Sequence, residues 1–323
     1  MTRTIVVGYD GTDHGDDALA LGRLLAGIAG AELVVACAYP DDPLGESASA
    51  LEVAQGMRED AERKLERARE WLAGAAEAGA AADAAAAAVG GAGGGASLRA
   101  VAGASPSHVL HDLAEASGAA AIVVGPTHHG KALRLLTGST PDAVLNHAPC
   151  PVAVAPDGFR DAHAGTPRQI AVAFDGSPEA QHALEAAAEF ARAAGARLRL
   201  VTAVNSAAVG IYPPPPLDVV AYEELGQIAR DEARGRLDEA IAALGAGVVA
   251  ESAVLDGDIV TALVEDAQTD DLLFTGSRAK GPFRRVLLGS VSTHLLRDAA
   301  CPVVIVPRGS GEGGPADGGA GAA

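Results

Sequence analysis

Two loops carry the residue types best suited to chemistry. One reads GPTHHGKALRLLTGST from Gly125, the other GSRAKGPFRRVLLGSV from Gly276. Each opens with glycine after an apolar run. Each reaches a Gly-Ser pair at the same interval, Gly138-Ser139 and Gly289-Ser290, just before a helical pattern begins. A helix start offers unpaired N–H groups and the positive end of a dipole. Glycines let the main chain approach an anion unobstructed. Lys131 and Arg134 add positive charge beside the first loop; Lys280, Arg284 and Arg285 do so beside the second. Together these are the parts of a phosphate cradle. Tight turns leading into capped helices, with Ser139 and Ser290 as N-caps, would use the same residues.

The elements that must position these loops are legible on either side of them. In the first half TIVVGY, ELVVACA, AAIVVG and PVAVA read as strands, with SLRAVA as a fifth. In the second half IAVAF, RLRLVTAV, VVAESAVL, DLLFTG and PVVIVP take the same places. Such short runs, apolar on both faces, suit a buried parallel sheet. Between them lie helical patterns. The clearest has Met57, Ala61, Leu65, Ala68 and Leu72 on one stripe, with Glu59–Arg63 and Asp60–Lys64 as i,i+4 pairs on its wet face. Alternating strands and helices give an α/β, doubly wound fold, in which ligands sit at the carboxyl ends of the strands.

The chain repeats itself. RTIVVGYDGT near the start matches RQIAVAFDGS from Arg168, and APCPVAVAP from Ala148 matches AACPVVIVP from Ala299. Asp10 and Asp175 stand 165 positions apart, while Gly125 and Gly276 stand 151 apart, so the first copy holds 14 extra residues between those landmarks. The Ala/Gly-rich stretch at 79–97 has no later counterpart and accounts for them. The expected organisation is a first domain over 1–156 with that insert, a polar linker over 157–167, a second domain over 168–308, and a Gly-rich tail over 309–323. PVAVAP and PVVIVP close their domains and would be sheet edges. An unpaired apolar edge associates, so the two are expected to pair antiparallel within the chain as a pseudo-dimer, with a homodimer left open.

Bulk properties narrow the function. The 323 residues carry a formal charge of −18, which repels nucleic acid and anionic membrane surfaces. Aromatic residues make up 3%, too few for a base-stacking platform. Three cysteines without C-x-x-C spacing argue against a disulfide framework or a structural zinc site. No run is apolar enough for a signal peptide or a membrane span, so a cytoplasmic protein is expected.

The pattern G-x2-G-x9-G-S/T, the DGS that follows the first strand and the closing CPV strand resemble the universal stress protein family. The chain resembles a tandem pair of such domains, of a type common in actinobacteria, outside its linker, insert and tail. The resemblance implies a five-stranded parallel sheet per domain in the order 3-2-1-4-5. It implies ATP, with or without Mg²⁺, on the glycine loop, although some members of the family bind no nucleotide. The residues it implies are Asp175, Ala203, Gly276, Ala279, Gly289 and Ser290 in the second domain. In the first they are Asp10, Ala38, Gly125, Gly138 and Ser139. Neither copy keeps the whole pattern. Ala279 replaces the middle glycine of the second loop and His128 that of the first, where Pro126 also removes an N–H. A methyl obstructs a phosphate less than an imidazole, so ATP is expected to favour the second domain.

Asp10 and Asp175 have two readings, as groups near the nucleoside or as capping residues of the DGT and DGS turns. His108 and His111 lie i,i+3 without a third metal ligand and are expected on the surface or in the core. Cys150 and Cys301, each before proline, are expected to be buried, inert thiols. GAGGGA from Gly91 follows no strand, so a dinucleotide fingerprint is not expected there; YPPPPLD reads as a stiff loop. No catalytic pair or metal site stands out. The resulting expectation is an ATP-binding stress sensor or regulator rather than an enzyme. The alternatives are a slow ATP hydrolase using Asp10 or Asp175, and a nucleotide-free scaffold.

Overall fold

The structure, a computed structural model, describes residues 3–41, 48–82, 96–126, 140–145, 148–162, 165–205, 219–277 and 289–307. In the first half the strands are β1 (Thr4–Gly8), β2 (Glu32–Tyr39), β3 (Ser97–Ala102), β4 (Ala121–Val124) and β5 (Val152–Val154). Between and after them lie α1 (Asp13–Ala29), α2 (Ala48–Ala82), α3 (Pro106–Ser117), α4 (Thr140–Leu145) and the single turn α5 (Phe159–Ala162). The second half brings β6 (Gln169–Ala173), α6 (Pro178–Ala194), β7 (Arg197–Val204), α7 (Val219–Ala243) and β8 (Ala250–Asp256). It ends with α8 (Ile259–Asp266), β9 (Leu272–Gly276), α9 (Ser290–Asp298) and β10 (Val303–Val306).

All ten strands form one sheet in the order β3-β2-β1-β4-β5-β10-β9-β6-β7-β8. Each half is parallel and runs 3-2-1-4-5 in its own count, as the resemblance implies. The halves meet where β5 and β10 pair antiparallel, Ala153 opposite Val304 and Val152 opposite Ile305. The two apolar edges therefore cover one another, as their sequences lead one to expect.

The alternation of side chains along each strand divides the core into two layers. Ile5, Val7, Ala153 and Val304 face the layer of α1, α2 and α6, where Leu19, Leu65 and Leu184 are buried. Val6, Val152, Val303 and Ile305 face the layer of α3, α4, α8 and α9, with Leu110, Val144, Leu263 and Leu295. Both layers run unbroken across the β5–β10 seam.

The long helix α2 buries Ala61, Leu65 and Ala68 of the expected stripe. Its wet face differs in part from the sequence reading. Asp60 pairs with Lys64 at 2.8 Å as expected, but Arg63 reaches Asp60 at 2.9 Å, and Glu59 accepts from Gln55 instead. At i,i+3 the Arg63 fork meets a carboxylate that already holds a cation. The Ala/Gly-rich insert contributes the end of α2, up to Ala82; residues 83–95 lie outside the described residues.

The polar stretch expected to be a plain linker is folded at its start. Phe159 is buried in the core. Asp17, on α1 and fully buried, accepts hydrogen bonds from the main-chain N–H of Gly158 and of Arg160, both at 3.0 Å, and from the Arg160 guanidinium at 3.3 Å. A buried carboxylate needs such partners. They tie the path out of β5 to the first helix.

Candidate functional site

The carboxyl ends of the central strands in each half carry the described part of the site. After β1 the chain turns through Asp10, Gly11 and Thr12 into α1. Asp10 Oδ1 accepts from the Thr12 N–H at 3.0 Å and from its hydroxyl at 2.6 Å. Thr12, not Asp10, is the N-cap, its side chain accepting from Gly15 N. Gly11 has φ of +77°, a conformation that side chains disfavour. After β6 the same turn recurs: Asp175 Oδ1 accepts from Ser177 N at 2.9 Å, Ser177 caps α6, and Gly176 has φ of +82°. The capping reading of both aspartates is thus corrected by two residues: Thr12 and Ser177 cap the helices, and Asp10 and Asp175 close the turns that lead into them. Both remain exposed, so the turn does not bury their carboxylates.

Gly125 follows β4 and Gly276 ends β9. A Cβ on Gly276 would sit 2.6 Å from the carbonyl carbon and oxygen of Glu179, in the first turn of α6. A Cβ on Gly125 would sit 2.9 Å from the carbonyl carbon of His14, in the first turn of α1. The loops therefore open with glycine because a helix start presses on the strand end. That contact also brings the aspartate turn and the glycine loop of each half together.

The residues after these glycines differ. Pro126 has no N–H. Ser277 donates its N–H to Val306 O at 3.0 Å, and the residue is 1% exposed, with a hydroxyl that has no hydrogen-bond partner among the described residues. A buried, unpaired hydroxyl carries a desolvation cost. Thirteen positions on, at Ser290, α9 starts. Here the structure corrects the sequence reading by one residue: Gly289 is the N-cap, at φ −70° and ψ 162°, and Ser290 is the first helical residue. Thr293 N–H and hydroxyl both donate to Gly289 O at 3.0 Å, and the His294 ring lies 2.6 Å from Ser290 O. Ala279, Gly138 and Ser139 lie outside the described residues. So do the flanking Lys131, Arg134, Lys280, Arg284 and Arg285, His128, all of YPPPPLD, and GAGGGA up to its final Ala96.

Ala38 and Ala203 lie one position before the ends of β2 and β7, which run on to Tyr39 and Val204. Ala38 lines a cleft of about 380 Å³, together with Cys37, Tyr39, Met57, Asp60 and Lys64. Sequence reasoning missed what closes this cleft. The Lys64 stem lies over the Asp10 turn, its Cγ 2.6 Å from where a Gly11 Cβ would be. Arg67 donates to Gly11 O at 3.0 Å and pairs with the buried Asp16 at 2.6 Å. Asp16 also accepts from the Tyr9 hydroxyl at 2.8 Å, and burial together with that bond pushes the phenol well above its usual pKa. In the second half Arg236 stands over Gly176, its Cδ 3.5 Å from a built Cβ.

The remaining sequence features resolve simply. Cys150 and Cys301 are buried, and burial pushes each thiol up to about 12. His108 Nδ1 meets Ser105 Oγ at 2.7 Å and His111 Nε2 meets Val144 O at 2.7 Å. Among the described residues no three His, Cys, Asp or Glu gather as a metal site would require, and no helix is long and apolar enough to cross a membrane.

A doubly wound sheet built twice, with an aspartate turn and a packed glycine at the same strand ends, defines a tandem α/β protein. The chain belongs to the universal stress protein family, whose sequence pattern matches residues 1–156 and again 167–307. It is 35% identical over 144 residues to a universal stress protein of Mycobacterium tuberculosis, a match covering 42% of this chain and 46% of that one. By that match the chain spans about half the length of this relative. It is 33% identical over 144 residues to a universal stress protein of Thermus aquaticus, covering 43% of this chain and 98% of that one. In fold it is similar to a universal stress protein from Archaeoglobus fulgidus, with a TM-score of 0.62, 19% identity, and 95% and 98% of the two chains covered.

Proposed function

We propose that this protein is a stress-response regulator that binds ATP on the loop between β9 and α9, in preference to the first half. The observation that carries this reading is Ser277. Its hydroxyl is buried, without a partner among the described residues, directly after Gly276 at the end of the strand from which the glycine loop departs. An acceptor-rich ligand arriving there would satisfy it, and the N-terminus of α9 adds dipole and unpaired N–H groups on the far side of the loop. Pro126 in the equivalent position of the first half offers no hydroxyl, while the Ser277 N–H is already committed to Val306 O. ATP would bring phosphate oxygens to the loop and a base toward Ala203, with Asp175 at the turn between them. With or without Mg²⁺, the role proposed is binding that alters what the protein contacts.

Mass spectrometry of small molecules released from natively purified protein tests this reading. ATP recovered in stoichiometric amount is the expected result; no nucleotide, and no uptake of added ATP, would leave a scaffold. Phosphate release measured with and without Mg²⁺ separates binding from slow hydrolysis, and no release above background is expected.

A further inference from the structure

We propose that Lys64 is the ligand-selecting cation of the first half, choosing phosphorylated over unphosphorylated nucleosides in the cleft at the end of β2. The proposal rests on the reading that this protein binds nucleotide, but it concerns the first half, beside Asp10 and Ala38, and a residue outside the glycine-loop pattern.

Three observations lead to it. The cleft is mixed in character: Cys37, Ala38, Tyr39 and Met57 give it apolar walls, while Asp60 and Lys64 supply its charges. A nucleobase suits such walls, and a volume of about 380 Å³ falls within the range of small-molecule pockets. Lys64 is placed for the polar end of a ligand. Its stem crosses the Asp10–Thr12 turn at Gly11, where a side chain on residue 11 would collide with it. The second half repeats this placement with Arg236 over Gly176, from a helix that starts after a longer connection. The two helices share one register here, Lys64 directly before buried Leu65 and Arg236 directly before buried Leu237, and each lays a cation on the same glycine of the same turn.

The ammonium can also move without stranding its partner. Lys64 Nζ is 2.8 Å from Asp60 Oδ2, while Arg63 holds Asp60 Oδ1 at 2.9 Å. When Lys64 swings to an anion in the cleft, Asp60 keeps Arg63. The Asp60 bond also holds the ammonium above its usual pKa, so it is fully charged at neutral pH. A phosphate offers a stronger charge-assisted bond than a shared carboxylate.

Met57 provides a local readout, because it lines the cleft and the chain has only two methionines. The experiment uses the full chain with methyl-¹³C methionine, titrated with AMP and with adenosine. The Met57 methyl resonance should shift saturably with both. Lys64→Gln should weaken AMP about tenfold, the loss expected for one charge-assisted hydrogen bond, and leave adenosine within about twofold. Lys64→Arg should restore AMP. Equal weakening of AMP and adenosine would reduce Lys64 to packing, and unchanged AMP affinity would remove it from the site. An unmoved Met57 with either probe would mean the cleft takes no nucleoside. ATP heat lost on altering Gly289 belongs to the second half, so the two proposals fail separately.

Discussion

Gly276 and Glu179 are in backbone contact: a Cβ on Gly276 would lie 2.6 Å from the Glu179 carbonyl oxygen. The first glycine of the loop is therefore a packing requirement before it is anything else. It joins β9 to the start of α6 and so joins the glycine loop to the Asp175 turn. Gly276→Ala should destabilise the protein by about 1–3 kcal/mol, the usual cost of forcing atoms into a filled space. Urea denaturation in the absence of nucleotide measures it. A variant as stable as the wild type would show that the glycine is kept for the ligand alone.

Ser277 should behave in the opposite way. Removing a buried hydroxyl that has no partner leaves stability unchanged or raises it by up to about 1 kcal/mol. Ser277→Ala is expected to do this while weakening ATP about tenfold. The combination of an undiminished melting temperature and lost affinity is the signature of a group held unpaired for a ligand. A destabilised variant with normal affinity would place the hydroxyl in the core packing instead.

Asp17 anchors the exit from β5. Its loss would leave the main-chain N–H groups of Gly158 and Arg160 short of an acceptor in a partly buried place, while the Arg160 guanidinium keeps Asp13. Asp17→Ala should cost about 3 kcal/mol, as broken buried ion pairs do. Chemical denaturation reads this directly, and a loss below about 1 kcal/mol would show that Phe159 and the Arg160–Asp13 contacts suffice to hold the segment after β5.

Strand and turn signals were strong in this chain because both halves share them. β-Branched runs marked all ten strands, down to β3, whose half-exposed side chains made it the weakest run. The aspartate turns and the loop glycines stood out by recurrence. Residues lacking a counterpart in the other half were harder to read. Asp17 stands in series with Leu21 and Leu25 on the buried stripe of α1, a carboxylate where an apolar residue belongs; that spacing was the available signal, and its partner lay about 140 positions away. Lys64, although Arg236 matches it in the second half, looked like half of a surface pair with Asp60, and only the packing of α2 on the Asp10 turn shows the cleft beneath it. The cap of α9 was misplaced by one because serine is the commoner cap, whereas here Gly289 takes the extended conformation and leaves Ser290 in the helix.

Asp270 gives a pH dependence with a definite sign. It is buried, its Oδ1 accepts from Gln169 at 2.9 Å, and Arg199 stands 3.7 Å from its Oδ2. Burial pushes its carboxyl above the usual range, against the lowering effects of Gln169 and Arg199. A raised carboxyl binds its proton more tightly in the folded protein than in the unfolded chain. Its contribution is therefore present below the unfolded value of about 4 and lost as pH rises through the folded value. Asp270→Asn stays neutral throughout, so it should be at least as stable as the wild type at pH 7, with the gap closing toward pH 4. Thermal melts across that range decide it. A variant clearly weaker at pH 7 would mean that attraction to Arg199 outweighs burial.

The central claim, that ATP binds at the β9–α9 loop, is tested most directly by calorimetric titration of ATP into the wild type, Gly289→Val and Gly138→Val. Gly289 sits at φ −70°, which valine also adopts, so the helix can still form while the isopropyl group blocks the approach to its N-terminus. Gly289→Val should lose most of the binding, by about tenfold or more, and Gly138→Val should lose little. Equal losses, or a greater loss from Gly138→Val, would contradict the preference for the second half. No heat from the wild type, with ADP and AMP equally silent, would contradict nucleotide binding itself.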